Sequence, residues 1–264
     1  MAFSNHLFFF FFLLLLSLAS FIHGADFIAK ECGSNITNND ALQANINSII
    51  LDLVTKTSSA GFGNSTYGSG YDTVYGTAEC RGDITGQDCT ACIIAAGQEI
   101  RTTCANANES HIWYQQCSFR YSTTNFLGQA DTTLLGVWRS AVATKDPQGF
   151  KKILKEFFSV LTVAASTSGE NRKFVWGEME SRSKLTNGEE VTTVYGMAHC
   201  TWDLDESTCA ACLGAAFNII KEEREGAYII LKSCEIRHES MPFLFVNAAP
   251  SPTANIRNIT YSNI

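Results

Sequence analysis

Ten cysteines carry most of the chemistry open to this sequence: Cys32, Cys80, Cys89, Cys92, Cys104, Cys117, Cys200, Cys209, Cys212 and Cys234. Two C-x-x-C pairs admit a redox dithiol, a metal site or structural disulfides. A redox thiol needs a cation beside it to hold the thiolate, and Cys89 and Cys209 follow Asp88 and Thr208, which supply none. A zinc site made of both pairs would draw its ligands from opposite halves of the chain, in a compartment where thiols oxidise. Disulfides are the reading that fits an even count. The sequence holds no nucleophile elbow, phosphate loop or His-Glu metal motif, so it reads as a protein without catalysis, cofactor or metal.

The cysteines are positioned by a repeat. Thr73-Val74-Tyr75-Gly76-Thr77-Ala78-Glu79-Cys80 returns as Thr193-Val194-Tyr195-Gly196-Met197-Ala198-His199-Cys200, and both run on into C-x8-C-x2-C. Cys117-Ser118-Phe119-Arg120-Tyr121 and Cys234-Glu235-Ile236-Arg237-His238 close the two units, followed by Phe126 and Phe243 at the same distance. The chain is a tandem duplication. Each unit opens with an amphipathic helix: Leu42, Ile46, Ile49, Ile50 and Leu53 behind Asp40 as N-cap, and Phe150, Ile153, Leu154, Phe157, Phe158 and Leu161 behind Asp146-Pro147. A second helix carries the cysteine pair, with Cys89, Cys92, Ile93, Ala96 and Ile100 on one face, as are Cys209, Cys212, Leu213, Ala216 and Ile220. The Tyr-Gly segments and the alternating Ile112, Tyr114, Gln116, Ser118 stretch predict strands. The fold class is α+β: two tandem domains, each a small antiparallel sheet with two helices on one face, stapled by disulfides.

Residues 1–24 contain no Lys, Arg, Asp or Glu and an apolar run from Leu7 to Leu16, the pattern of a secretory signal cleaved just after Gly24 or Ala25. Leu7 to Ile22 is short of the roughly 20 residues of a spanning helix. The expected mature protein is soluble and extracellular, with no membrane span. Residues 25–130 and 138–247 are the expected domains, 248–264 a polar tail, and Gly61 to Gly70 a flexible loop. The net charge of −7 disfavours nucleic acid and anionic membranes as partners. Asn35, Asn64, Asn108 and Asn258 open glycosylation sequons.

The first unit has six cysteines and the second four, lacking counterparts of Cys32 and Cys104. Joint loss is what a mutual bond predicts, leaving the other four of each unit to pair within it. A Cys32 to Cys104 bridge is worth about 4.4 kcal/mol in the chain-entropy model, against about 2.7 for a bridge closing a loop as short as Cys80 to Cys89. Without that bridge the second domain needs its Phe-rich first helix or support from the first domain.

The C-x8-C-x2-C pattern, the Tyr-Gly strand before it, the later Cys-x-x-Arg and the signal segment resemble the plant cysteine-rich repeat secretory proteins, built from ginkbilobin-homologous (stress-antifungal) domains. The resemblance implies the pairs Cys80–Cys89, Cys92–Cys117 and Cys32–Cys104, then Cys200–Cys209 and Cys212–Cys234. It also implies a mannose site of Asn, Arg and Glu, whose positions here hold Gly33, His111 and Ser122 in the first domain. In the second they hold Tyr228 and Glu239, so Glu239 is the sole match and the candidate ligand contact. The expected function is a binding module of the apoplast that recognises an extracellular protein partner in defence or stress responses. The alternative is a mannose-binding antifungal effector acting on cell-wall glycan.

Several residues admit a local reading. Arg120 and Arg237 are expected to pair with a nearby carboxylate or carbonyl. Trp113, Tyr114, Phe119, Tyr121 and Phe126 are expected to serve mainly as core. His199 and His238 fall at similar strand ends near Glu239.

Overall fold

The computed structural model describes residues 26–36, 39–167, 173–185, 188–221, 224–244 and 256–262, without the side chains of 181–192 and 256–262. The signal segment and its cleavage point lie outside the described residues. The first half is built from β1 (Phe27–Cys32), α1 (Asp40–Ala60), β2 (Phe62–Tyr67), β3 (Val74–Cys80), α2 (Gly86–Thr103), β4 (Glu109–Tyr114) and β5 (Cys117–Ser122). The second is built from β6 (Leu134–Arg139), α3 (Pro147–Ser166), β7 (Phe174–Leu185), β8 (Gly188–Cys200), α4 (Glu206–Phe217), β9 (Ala227–Leu231), β10 (Cys234–Glu239) and β11 (Ile256–Ser262). Strand orders are β1-β4-β5-β3-β2 and β11-β7-β8-β10-β9-β6. Apart from β11, which runs parallel to β7, the second order repeats the first, so the duplication is one of topology as well as sequence.

The helices start where side chains can satisfy free backbone N–H groups. Asn39, not Asp40, caps α1 by accepting from the Leu42 N–H; Asp40 is the first helical residue, where its charge still suits the helix dipole. Asp146 accepts from the Gly149 N–H with Pro147 in the first turn of α3, and Asp205 accepts from Thr208 to start α4. The apolar faces of α1 and α2 then bury Leu42, Ile46, Ile49, Leu53, Ile93 and Ile100 on the first sheet. In the second domain Phe157, Phe158, Leu161, Leu213 and Ala216 do the same.

The Tyr-Gly motif has a packing reason. A Cβ on Gly76 would sit 2.8 Å from Leu53 Cδ1, and one on Gly196 would sit 2.5 Å from Phe157 Cε1. Only glycine lets the first helix of each domain lie this close to its sheet.

Four segments differ from expectation. The alternating stretch through Gln116 is not one strand: Gln115 and Gln116 form the turn between β4 and β5. The Gly61 to Gly70 region is mostly β2, paired with β3 from Phe62 to Tyr67, because a free sheet edge captured a segment that composition alone marks as loop. Strand β6 begins ahead of residue 138, and β11 lies within the segment read as a polar tail.

Alternation leaves one face of each sheet without helices. Parts of these two faces meet: Phe174, Met197, Tyr228 and Ile230 cluster on the second sheet, and Ile28 of β1 packs against them. Phe62 meets Trp202 edge-on at 4.9 Å, and the Gly128 N–H donates to Asp203 at 2.8 Å. The domains are therefore docked through their sheets, with the helices outside.

Candidate functional site

The cysteines hold the frame. Cys32–Cys104 ties the end of β1 to the end of α2, Cys80–Cys89 ties β3 to the start of α2, and Cys92–Cys117 ties α2 to β5. Cys200–Cys209 and Cys212–Cys234 repeat the last two around α4. Among the described residues no cysteine is free, so none supplies a nucleophile or a metal ligand.

A cavity of about 240 Å³ lies at the junction, between β1, β4 and β5 of the first sheet and the β9–β10 turn of the second. Glu31, Gly33, Glu109, His111 and Arg120 line it from the first domain and Lys232 from the second. Lys232 bonds Glu31 at 2.5 Å across the junction. Arg120 stacks its guanidinium on the Phe126 ring at 3.9 Å, and that guanidinium makes no hydrogen bond or ion pair among the described residues. Its N–H donors are therefore held in orientation and uncommitted. His111, only 5% exposed, stacks on Trp113 and leaves its Nδ1 without a hydrogen-bond partner. Burial, then the charges of Arg120 and Lys232, hold its pKa well below the usual histidine range, so the imidazole is neutral. A Cβ on Gly33 would meet Asn108 Oδ1 at 2.4 Å and Glu109 Cγ at 2.5 Å, so a side chain there requires those two side chains to move.

The corresponding place in the second domain is filled. Tyr228 stands where His111 does, opposite Arg237 as His111 is opposite Arg120. Arg237 lies over Phe243 at 4.4 Å and donates to Glu239 at 3.0 Å. Glu239, the candidate ligand contact, is thus committed to an arginine and does not stand beside the junction cavity. Trp138 of β6, half exposed, covers Tyr228 at 5.7 Å.

The remaining candidates separate. Arg237 has its local carboxylate and Arg120 does not, because Ser122 occupies the place of Glu239 and donates to Glu109 instead. Phe119 and Tyr121 are core, Trp113 and Phe126 are buried beside the cavity, and Tyr114 is partly buried. His199 and His238 part company: His199 faces the junction and pairs with Glu235 at 3.3 Å, while His238 is buried between sheet and helix near Phe150 and Phe158. Asn35 and Asn64 are exposed, the Asn108 side-chain oxygen is buried, and the Asn258 side chain lies outside the described residues.

Sequence reasoning did not find the cavity. The signal for its central pair was present, since each Cys-x-x-Arg is followed by a phenylalanine at fixed distance, but a contact across the turn after β5 has no periodicity to reveal it. Lys232 carried no signal, because it acts from the other domain.

The family profile described as salt stress response/antifungal matches residues 30–124 and 139–241. Cysteine-rich repeat secretory protein 55 of Arabidopsis thaliana is 35% identical over 87% of this chain and 88% of its own length. The antimicrobial ginkbilobin-2-like protein of Castanea crenata is 33% identical over 76% of this chain and 80% of its own. The crystal structure of the tandem DUF26 ectodomain of the Arabidopsis thaliana cysteine-rich receptor-like protein PDLP8 superposes with a TM-score of 0.65. It is 28% identical and covers 82% of this chain and 98% of that one. Both domains are thus accounted for, and secretory relatives, an ectodomain fold and five disulfides place the protein outside the cell. The chain belongs to the salt stress response/antifungal family, as a tandem of two of its domains.

Proposed function

We propose that this protein is a non-catalytic recognition module of the apoplast, acting in defence or stress responses, and that it holds one saccharide unit of a larger glycan in the junction cavity. The observation that carries this reading is Arg120, fixed on Phe126 with uncommitted donors in a cavity of about 240 Å³. A sugar hydroxyl both donates and accepts, and the cavity offers both halves: carboxylates of Glu31 and Glu109, cations of Arg120 and Lys232. The charges balance locally, which suits a neutral sugar. The inherited Asn-Arg-Glu set is replaced, since Gly33 and His111 now form wall and Ser122 serves Glu109. Recognition here therefore runs through Arg120 and Lys232, not through Glu239.

A glycan array probed with the disulfide-intact mature protein tests this. The wild type is expected to bind one class of glycan, and Arg120→Ala to bind it at least about tenfold more weakly, as the loss of a charged hydrogen bond requires. A silent array, or equal binding by the variant, overturns the saccharide reading and returns the search to a protein partner.

A further inference from the structure

Buried charge in this molecule is concentrated where the two sheets meet. The first domain contributes Glu79 on β3 and Arg81 and Asp83 in the turn after it. The second contributes His199 on β8, Asp203 before α4, Tyr228 on β9 and Glu235 on β10. Glu79 is 5% exposed, Arg81 3% and His199 8%. Glu79 accepts the Trp202 N–H at 2.9 Å, a bond from one domain to the other, and accepts from Ser118 at 3.4 Å. His199 pairs with Glu235, which also accepts from the Tyr228 hydroxyl. Arg81 is held by Asp83 in two bonds of 2.6 and 2.9 Å. A junction cavity of about 40 Å³ is lined by Glu79, Arg81, His199 and Glu235 together.

Glu79 and His199 occupy the same place in the two repeats, each one residue before the cysteine that ends its strand. The docking of like faces has set an acid on one copy against a base on the other. We propose that this cluster is a proton-controlled latch between the domains, closed when protonated and opened by deprotonation above neutral pH.

The charges give the sign. Burial, opposed by His199 and by the Trp202 N–H, pushes the Glu79 carboxyl up to about 7. Burial alone would lower His199, but its bond to Glu235 and the charge of Glu79 outweigh that and hold it above its ordinary value. In acid, Glu79 is neutral, His199 answers Glu235, and Arg81 answers Asp83. As pH rises through about 7, Glu79 becomes an anion beside the anionic Glu235, and proton loss from His199 removes the cation that faces both. Asp203 adds repulsion to Glu79. Separating the sheets returns these groups to water, where Glu79 and His199 bind protons less strongly. The docked form is therefore favoured at low pH and loses that advantage as pH rises through about 7. Opening would also withdraw Lys232 from Glu31 and remove one wall of the larger cavity; that consequence rests on the saccharide reading, and the latch does not.

Small-angle scattering and amide hydrogen exchange of the full disulfide-bonded protein test it without any ligand, between about pH 5 and about pH 8.5. In the wild type the radius of gyration should rise above neutral pH, and exchange at the Trp202 amide should rise at least about tenfold beyond its intrinsic pH dependence. Glu79→Gln keeps the acceptor and cannot become an anion, so both readouts should stay flat. A flat wild type overturns the proposal whether or not the variant folds, and so does the same opening in Glu79→Gln. A silent glycan array leaves this result untouched.

Discussion

Tyr121 and His238 hold the same place in the two repeats and fare differently. The Tyr121 hydroxyl donates to the carbonyls of Ala107 at 3.1 Å and Cys104 at 3.4 Å, both near the disulfide that the second domain lacks. His238 is 0% exposed, and burial pushes its pKa down to about 4. The unfolded chain takes up this proton below about 6.5 and the folded chain does not until about 4. His238 therefore costs stability as pH falls across that window, about 2 kcal/mol at pH 5. His238→Phe is expected to shrink the drop in Tm between about pH 7.5 and about pH 5, measured by calorimetry. At this scale the sequence was legible wherever periodicity acts. It showed which face of each helix is core, but not that Arg120 would lack a carboxylate, because that turns on Ser122 standing where Glu239 stands in the other copy.

At the scale of elements, β1 is an edge strand held at its end by Cys32–Cys104, and it supplies both Glu31 to the cavity and Ile28 to the junction. Replacing both cysteines by serine should lower stability in urea by about 4.4 kcal/mol, against about 2.7 for the Cys80–Cys89 pair, in the chain-entropy model. Equal losses would show that native-state strain, not loop length, sets the contribution. The helices and the paired central strands were legible because apolar spacing and caps act within a few residues. Strand β2 was not: Phe62-Gly63-Asn64-Ser65-Thr66-Tyr67 has the composition of a loop, and what makes it a strand is the open hydrogen-bonding edge of β3.

At the scale of the molecule, the duplication explains more than the fold. Two copies of one sheet dock through their helix-free faces, and each chemical feature of the junction is a difference between the copies: Glu79 against His199, His111 against Tyr228, Ser118 against Glu235. The repeat was plain in the sequence, whereas the docking was not, because polar residues on a sheet face read as solvent-exposed until a partner surface is known. Lys232 expresses this most directly, since a residue of the second domain completes a cavity belonging to the first.

Calorimetric titration of the Lys232→Ala variant with the glycan selected by the array tests the central claim that the two domains share one recognition site. The account predicts at least about a tenfold loss of affinity, comparable to Arg120→Ala, with the fold unchanged. Wild-type affinity in Lys232→Ala would contradict it, and would place recognition within a single domain.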